Sequence, residues 1–398
     1  MPIDAWLANA AAAHPGRVAI EAPGGSLTFA ELLEAAGAVD VASGERVALE
    51  GPPDLGFAVR LYACVLRRAV AVPVDPRLGE RERAAVLTSG APTEPGAALI
   101  VHTSGTTGAP RPVTLTGENV AAQTFASARV LGPYREDRWL CPLPLSHVGG
   151  LMVLLRSAAF AITVVLRPLE GAELHGATLA SLVPTQLARA LDAGLEAPPA
   201  LRTILLGGAG APRTLLARAA AAHVPVRQTY GLTQACSSVT ISEAGDLDTQ
   251  GPPLDGIGVE IAPDGEILVS GPTVAGGGTL ATGDLGRLDD RGRLTVIGRK
   301  TDTIVTGGEN VAPAEVEGVL LEHPAVADAG VFGRADPEWG EAVTAHVVLR
   351  APADPEALRA YAHERLAGYK VPKSIEVVDA LPRTGSGKLL RRALSSRG

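Results

Sequence analysis

At 398 residues with a net charge of −8, the chain is long enough to bury several cores and too acidic for general nucleic-acid binding, which needs clustered Lys and Arg. Hydrophobic residues at 46% and charged residues at 20% exclude a disordered chain. Three scattered cysteines without CxxC spacing exclude a disulfide framework or a Cys-based zinc site, and point to a reducing, cytoplasmic setting.

The first segment, MPIDAWLANAAAAHPGR, carries Asp4 and no early cation, so it reads as a helix and not as a signal peptide. The runs VALE, AVAVPVD, ALIVHTS, ITVVLRP, RTILLGG and VPVRQTY then alternate with Ala/Leu-rich stretches, which predicts layered α/β structure with largely parallel strands over about the first 240 residues. The most apolar stretch, 151–166, is broken by Arg156 and Ser157 and is too short to span a bilayer, so a buried helix leading into a strand is expected. From 252 to 298 the turns PDG and DRG mark hairpins of a small β-rich subdomain. Residues 299–398 have their own strand–helix alternation and read as a small α+β domain. The domains are therefore expected at 1–298 and 299–398, with no low-complexity linker between them.

The sharpest local feature is HTSGTTGAPRP, 102–112, directly after the apolar AALIV. A strand ending in Gly, Ser and Thr supplies backbone N–H groups and hydroxyls with little bulk, which suits phosphate oxygens. A P-loop would need GxxxxGK[ST] opening a helix, and Ala109-Pro110-Arg111 breaks that pattern. A Ser/Thr-rich surface turn is the bland alternative.

This loop resembles the signature of the acyl-activating superfamily, which contains acyl-CoA synthetases, peptide-synthetase adenylation domains and luciferases. Six further strings match that family in order: PLPLSHVGGL (142–151), LLGGAGAP (205–212), QTYGLTQ (228–234), TGDLGRL (282–288), GRKTDTIVTGGENVAPAEVE (298–317) and PRTGSGK (382–388). Within the family, the short span of about 25 residues between Arg77 and Ser104, with HVGGLMVLLRS and SLVPTQLARAL, most resembles the o-succinylbenzoate–CoA ligases of menaquinone biosynthesis.

The resemblance implies a small mobile C-terminal domain hinged near Thr301 and an ATP-dependent acid–CoA ligase with two half-reactions. It assigns Ser104, Thr106, Thr107 and Gly108 to the ATP phosphates, with Thr103 and Gly105 shaping the loop and Arg111 adding charge. Tyr230 would cover the adenine, with Gly208 and Ala209 as the other wall and Gln228, Thr229 and Gly231 beside it. Thr233 would hold the α-phosphate, and Asp284 and Arg299 the ribose hydroxyls. Lys388 would reach between the carboxylate and the α-phosphate during adenylation. Gly307 and Gly308 would line the tunnel for the pantetheine of coenzyme A, where a Cβ would obstruct, and Glu338-Trp339-Gly340-Glu341 fits the small-domain motif. His147 would gate the acid pocket, with Leu151, Ser237 and Ser238 lining it. An aryl acid with a second carboxylate would need a cation, for which Arg156 and Arg227 are both candidates.

Two departures stand out. Gln234 replaces the usual magnesium-binding Glu, so Thr106 and this weaker amide are the Mg2+ candidates. Arg111-Pro112 replaces the usual Lys-Gly. Altered metal dependence is therefore expected. A stand-alone adenylation enzyme loading a carrier protein, or a nucleotide-binding homologue with weakened catalysis, are the competing readings. A homodimer is compatible with the sequence, and neither nucleic acid nor a membrane is an expected partner.

Overall fold

Strands and helices alternate through the first half of the chain because apolar β-branched runs are separated by amphipathic helical ones, and the result is two mostly parallel sheets. The computed structural model describes residues 2–88, 95–104, 110–383 and 389–395, apart from the side chains of Ser104, Pro110, Arg392 and Ser395. The larger sheet runs in the order Ser237–Ile241, Val226–Leu232, Thr203–Leu206, Leu179–Leu182, Arg138–Leu140, Thr163–Val165, Val18–Ala22, Gly25–Thr28. Its interior pairs are parallel and only the two outermost pairs are antiparallel. Thr163–Val165, Leu179–Leu182 and Thr203–Leu206 are buried throughout, as strands covered on both faces must be. The apolar stretch at 151–166 is a buried helix, Val148–Phe160, followed by strand Thr163–Val165, as its length requires.

In the second sheet Arg46–Leu49, Val70–Pro73 and Ala97–Ser104 run parallel. The chain then returns antiparallel as Pro110–Thr116, pairing Thr103 with Arg111 and His102 with Pro112. A P-loop runs from strand into helix, so this strand-to-strand return removes that alternative. Pro110 and Pro112 lack N–H groups, which suits the sheet edge where they lie.

The β-rich segment is an antiparallel meander of Gly258–Ile261, Glu266–Ser270, Thr279–Leu288 and Leu294–Arg299. The 3-10 turn Lys300–Asp302 leads from it into the last sheet, which pairs Glu309–Val311, Ile304–Thr306, Gly340–Leu349, Val326–Asp336 and Ser374–Val377. That sheet packs against helices Pro313–Glu322 and Pro355–His363 around its own core, including Val316, Val331, Val347 and Leu358. Among the described residues no helix is long and apolar enough to cross a membrane.

Candidate functional site

Strand Val226–Leu232 leaves the parallel sheet, passes through the 3-10 turn Thr233–Ala235 and returns as Ser237–Ile241. A Cβ at Gly231 would lie 2.0 Å from the Ser237 carbonyl oxygen, so only glycine lets the two strands close at this point. The Tyr230 hydroxyl donates to Asp284 Oδ2 at 2.8 Å, and Arg299 Nε meets Asp284 Oδ1 at 2.7 Å. Asp284 and Arg299 are cross-strand partners in the meander, and the Asp284 backbone N–H donates to Thr282 Oγ1. The meander thus delivers a buried carboxylate, 6% exposed, to the end of the parallel sheet. Burial, then the neighbouring Asp284 charge, pushes the Tyr230 hydroxyl well above its ordinary value, so it stays a donor.

The other wall comes from the loop after Thr203–Leu206. A Cβ at Gly207 would meet Thr229 Cγ2 at 2.7 Å, and Gly208 has φ +80° with Val183 Cγ1 3.2 Å from its missing Cβ. Gly208 and Ala209 are exposed. Thr229 Oγ1 donates to the Thr240 carbonyl. Gln228 is buried and its amide donates to the Asp246 and Thr249 carbonyls, so that side chain is committed to a neighbouring loop. Thr233 and Gln234 are half-buried, and the Gln234 carbonyl accepts from Ala275 N–H at 2.8 Å. Cys236 (φ +56°) and Ser237 (φ +97°) follow in the left-handed half of backbone space, a concentration of strain that side chains adopt where surroundings over-determine it.

Ahead of the buried helix, His147 is the N-terminal cap residue of Val148–Phe160, and a Cβ at Gly150 would strike the Pro144 carbonyl oxygen at 2.6 Å, so PLPLSHVGG packs as one unit. Arg77, and more weakly His147, hold the Asp75 carboxyl below the usual range. Leu151 is completely buried and belongs to the core. Arg156, one turn and a half further on, is 2% exposed. Its Nη2 donates to Gln123 Oε1 at 2.6 Å, its Nε to Ser127 Oγ at 3.1 Å, and its guanidinium lies 5.4 Å from the Trp139 ring centre. Burial pushes it down to about 10, with the thiols of Cys236 and Cys141 close by. Among the described residues it forms no ion pair, and Gln123 in turn donates to the Ser238 carbonyl, which places the cation beneath the 233–238 turn. Arg227 instead donates to the Ser242 carbonyl on the far strand. Gln123 and Ser127 were not singled out from the sequence, though Asn119, Gln123 and Ser127 at i, i+4, i+8 form a polar line on an otherwise apolar helix face.

In the C-terminal sheet Gly307 (φ +57°) and Gly308 (φ +84°) are the two turn residues between Ile304–Thr306 and Glu309–Val311. A hairpin turn with positive φ at both positions favours glycine by itself. A Cβ at Gly308 would meet nothing within 4 Å, whereas one at Gly307 would meet the Trp339 ring at 3.1 Å. The reason visible here for the pair is backbone conformation, in addition to the room expected for a ligand. Val305 N–H donates to Glu341 Oε2 and Gly307 N–H to the Trp339 carbonyl, so the DPEWGE segment braces this turn.

Gly105, Thr106, Thr107, Gly108 and Lys388 lie outside the described residues. Ser104 ends its strand, Thr103 Oγ1 reaches the Arg111 carbonyl at 3.4 Å, and Arg111 is exposed. The described residues fit a nucleotide: Asp284 is acceptor-only, with lone pairs suited to adjacent hydroxyls, and the exposed Gly208-Ala209 edge beside Thr229 admits a flat base. Among the described residues no three His, Cys, Asp or Glu side chains converge as metal ligands. Gln234 offers one neutral oxygen, which suits a magnesium ion that takes most of its ligands from phosphate and water.

Comparison with known proteins identifies the family. Residues 89–277 match the AMP-binding enzyme family and residues 315–388 its C-terminal domain. The 2-succinylbenzoate–CoA ligase of Bacillus velezensis is 36% identical over 474 aligned positions, covering 98% of this chain and 97% of that protein. Those positions outnumber the 398 residues here, so that relative carries insertions this shortened chain lacks. Among solved structures, Bacillus subtilis o-succinylbenzoate–CoA synthetase with its acyl-adenylate intermediate superimposes with a TM-score of 0.89 at 34% identity, covering 99% and 98% of the two chains. The same enzyme with ATP and magnesium ion gives 0.88 at 33% identity and 99% coverage of each chain. A double mutant of it with a product analogue gives only 0.69 at 34% identity, although 100% and 99% are covered. On fold, motif order and these matches, the chain belongs to the AMP-binding, adenylate-forming enzyme family.

Proposed function

We propose that the chain is an ATP-dependent 2-succinylbenzoate–CoA ligase that works through an acyl-AMP. The observation that carries the choice of acid is Arg156, a buried guanidinium beneath the 233–238 turn that forms no ion pair among the described residues. An uncompensated buried charge costs several kcal/mol, which the Gln123 and Ser127 hydrogen bonds and the Trp139 face offset only in part. A substrate with a second carboxylate completes the pairing. The relatives named for this acid support the reading.

In the first half-reaction an oxygen of the acid's other carboxylate attacks the α-phosphorus, the bond to the β-phosphate oxygen breaks, and pyrophosphate leaves. Thr233 holds the α-phosphate, Asp284 and Arg299 hold the ribose, Tyr230 and the Gly208-Ala209 edge hold adenine, and Ser104, Thr106, Thr107, Gly108 and Arg111 would bind the phosphates. Lys388 offsets the negative charge that develops in the transition state. Magnesium, when bound, would supply charge neutralisation on the phosphates, and Thr106 and Gln234 are the residues that would help to hold it. In the second half-reaction the CoA sulfur attacks the acyl carbonyl, the thiol proton is lost to solvent, and the C–O bond to AMP breaks. Before that attack, rotation about the Thr301 joint presents the Gly307-Gly308 turn to the pantetheine, with His147 on the acid side. The different superposition on the adenylate and product-analogue complexes of one relative supports two domain arrangements. Cytoplasmic residence and a homodimer belong to the same reading.

A pyrophosphate-release screen of 2-succinylbenzoate against benzoate, short-chain and fatty acids, with CoA present, tests the assignment. Preference for the dicarboxylate by tenfold or more is expected, and equal turnover of benzoate would overturn it.

A further inference from the structure

The C-terminal stretch contains a partly buried ion cluster that the proposed chemistry does not use. Arg391 begins the short helix Arg391–Ser395, and it is largely enclosed. Its Nη2 donates to Glu317 Oε2 at 2.9 Å, its Nη1 also meets Glu317 Oε1, and the same Nη1 donates to the Val331 carbonyl at 2.8 Å. Its Nε donates to Asp302 Oδ2 at 3.1 Å. One guanidinium thus joins helix Pro313–Glu322, strand Val326–Asp336 and the 3-10 turn Lys300–Asp302 that joins the two halves of the chain.

Arg383 and Leu389 form an antiparallel bridge, and Leu390 N–H donates to the Pro382 carbonyl, so the two stems flanking 384–388 are paired. Both stems rest on the same strand. Arg383 Nη2 donates to both Asp328 carboxylate oxygens, at 2.7 and 2.6 Å. A Cβ at Gly330 would meet Leu394, Leu389 and Leu381 side chains at 3.0, 3.2 and 3.5 Å, so glycine there lets side chains from both stems settle on the strand. Arg391 then clamps the outgoing stem at Val331 and carries the connection on to Asp302.

We infer that Arg391 is a positioning residue for the Lys388-bearing stems, fixing them to strand Val326–Asp336 and to the hinge-side Asp302 so that they move as one body with the joint. The inference rests on the adenylation role proposed for Lys388, and it is argued from the described neighbours alone. Two carboxylates share this one cation, and a lysine cannot reproduce its fork to Glu317 together with the arms to Asp302 and Val331. Arg391 should therefore matter when Lys388 acts, in adenylation, and not when the domain has turned for thioester formation.

The test uses the full-length protein and two separated half-reactions: pyrophosphate release with ATP and 2-succinylbenzoate, and thioester formation from synthetic acyl-AMP and CoA. Arg391→Lys is expected to lower the adenylation kcat on the order of 10-fold at unchanged KM for ATP, and Arg391→Ala on the order of 10²-fold, with the thioester step within 2-fold for both. Lys388→Ala combined with Arg391→Ala should be no slower than Lys388→Ala alone, because both substitutions remove one function. Equal losses in the two half-reactions, or losses that multiply in the double variant, would mean a general structural role and overturn the assignment. If Arg391→Ala does not fold, Arg391→Lys decides by the same split. Normal adenylation by Lys388→Ala would bring down the Lys388 reading first, and this one with it.

Discussion

Replacing Asp284 isolates the nucleotide half of the site. Its two oxygens already engage the Tyr230 hydroxyl and Arg299 Nε, at 2.8 and 2.7 Å, and the residue is 6% exposed, so it presents a fixed charge and not a flexible one. A hydrogen bond to a charged group contributes about 1.5–3 kcal/mol, so loss of two ribose contacts amounts to about 3–6 kcal/mol, or ~10²–10⁴ in kcat/KM for ATP. Asp284→Ala also leaves the buried Tyr230 hydroxyl without its acceptor, at about 1–3 kcal/mol of stability, which thermal melting reads separately. Asp284→Asn keeps an oxygen for Tyr230 but removes the charge and turns the acceptor of Arg299 Nε into an amide donor, with an expected loss of at least about tenfold. The assay is pyrophosphate release with ATP and with 2′,3′-dideoxy-ATP. The native protein should discriminate against the dideoxy nucleotide by about as much as Asp284→Ala loses on ATP, and the variant should treat both nucleotides alike. Undiminished discrimination by Asp284→Ala would refute the ribose assignment.

Arg156→Met should raise KM for 2-succinylbenzoate by ~10–100-fold and leave a monocarboxylic aryl acid nearly unchanged, while thermal melting reads separately the balance between removing a buried charge and leaving buried Gln123 and Ser127 without their donor; a parallel loss on both acids would move the cation out of the acid site. Gln234→Glu should lower the magnesium concentration for half-maximal pyrophosphate release several-fold, since a carboxylate is the better ligand for a hard cation; an unchanged titration would place Gln234 away from the metal. At Gly308 the structure sharpens the test. Leucine at φ +84° is strained whatever it faces, so Gly308→Asn, which tolerates that region, serves as the control for Gly308→Leu. Thioester formation blocked in both variants, with adenylation intact in Gly308→Asn, indicates a crowded tunnel, whereas recovery in Gly308→Asn would reduce the residue to its turn.

Much of the fold was legible because strand and helix periods are local. The six apolar runs quoted at the outset are all strands, and the Asp264-Gly265 and Arg291-Gly292 hairpins lie where the turn residues put them. Motif order carried the family. What stayed hidden depends on pairing across distance: nothing local says that Val18–Ala22 lies parallel to Thr163–Val165, or that a Gly231 Cβ would strike the Ser237 carbonyl. Gln228 stands inside a nucleotide motif, yet its amide is committed to the Asp246 and Thr249 carbonyls, a contact set by a loop about 20 residues on. Preferring Arg156 to Arg227 in the proposed reading likewise rests on which helix packs beneath the 233–238 turn. The Gly307-Gly308 pair was read for ligand room, and its first visible cause is the hairpin turn, which two adjacent glycines between short β-branched runs already signal.

Product analysis in order of addition tests the central claim most directly. With ATP, magnesium and 2-succinylbenzoate but no CoA, mass spectrometry should find pyrophosphate and enzyme-held acyl-AMP, and CoA added afterwards should convert that pool to AMP and succinylbenzoyl-CoA in equal amounts. ADP and orthophosphate as products, or no turnover of the acid until CoA is present, would contradict an adenylate-first mechanism.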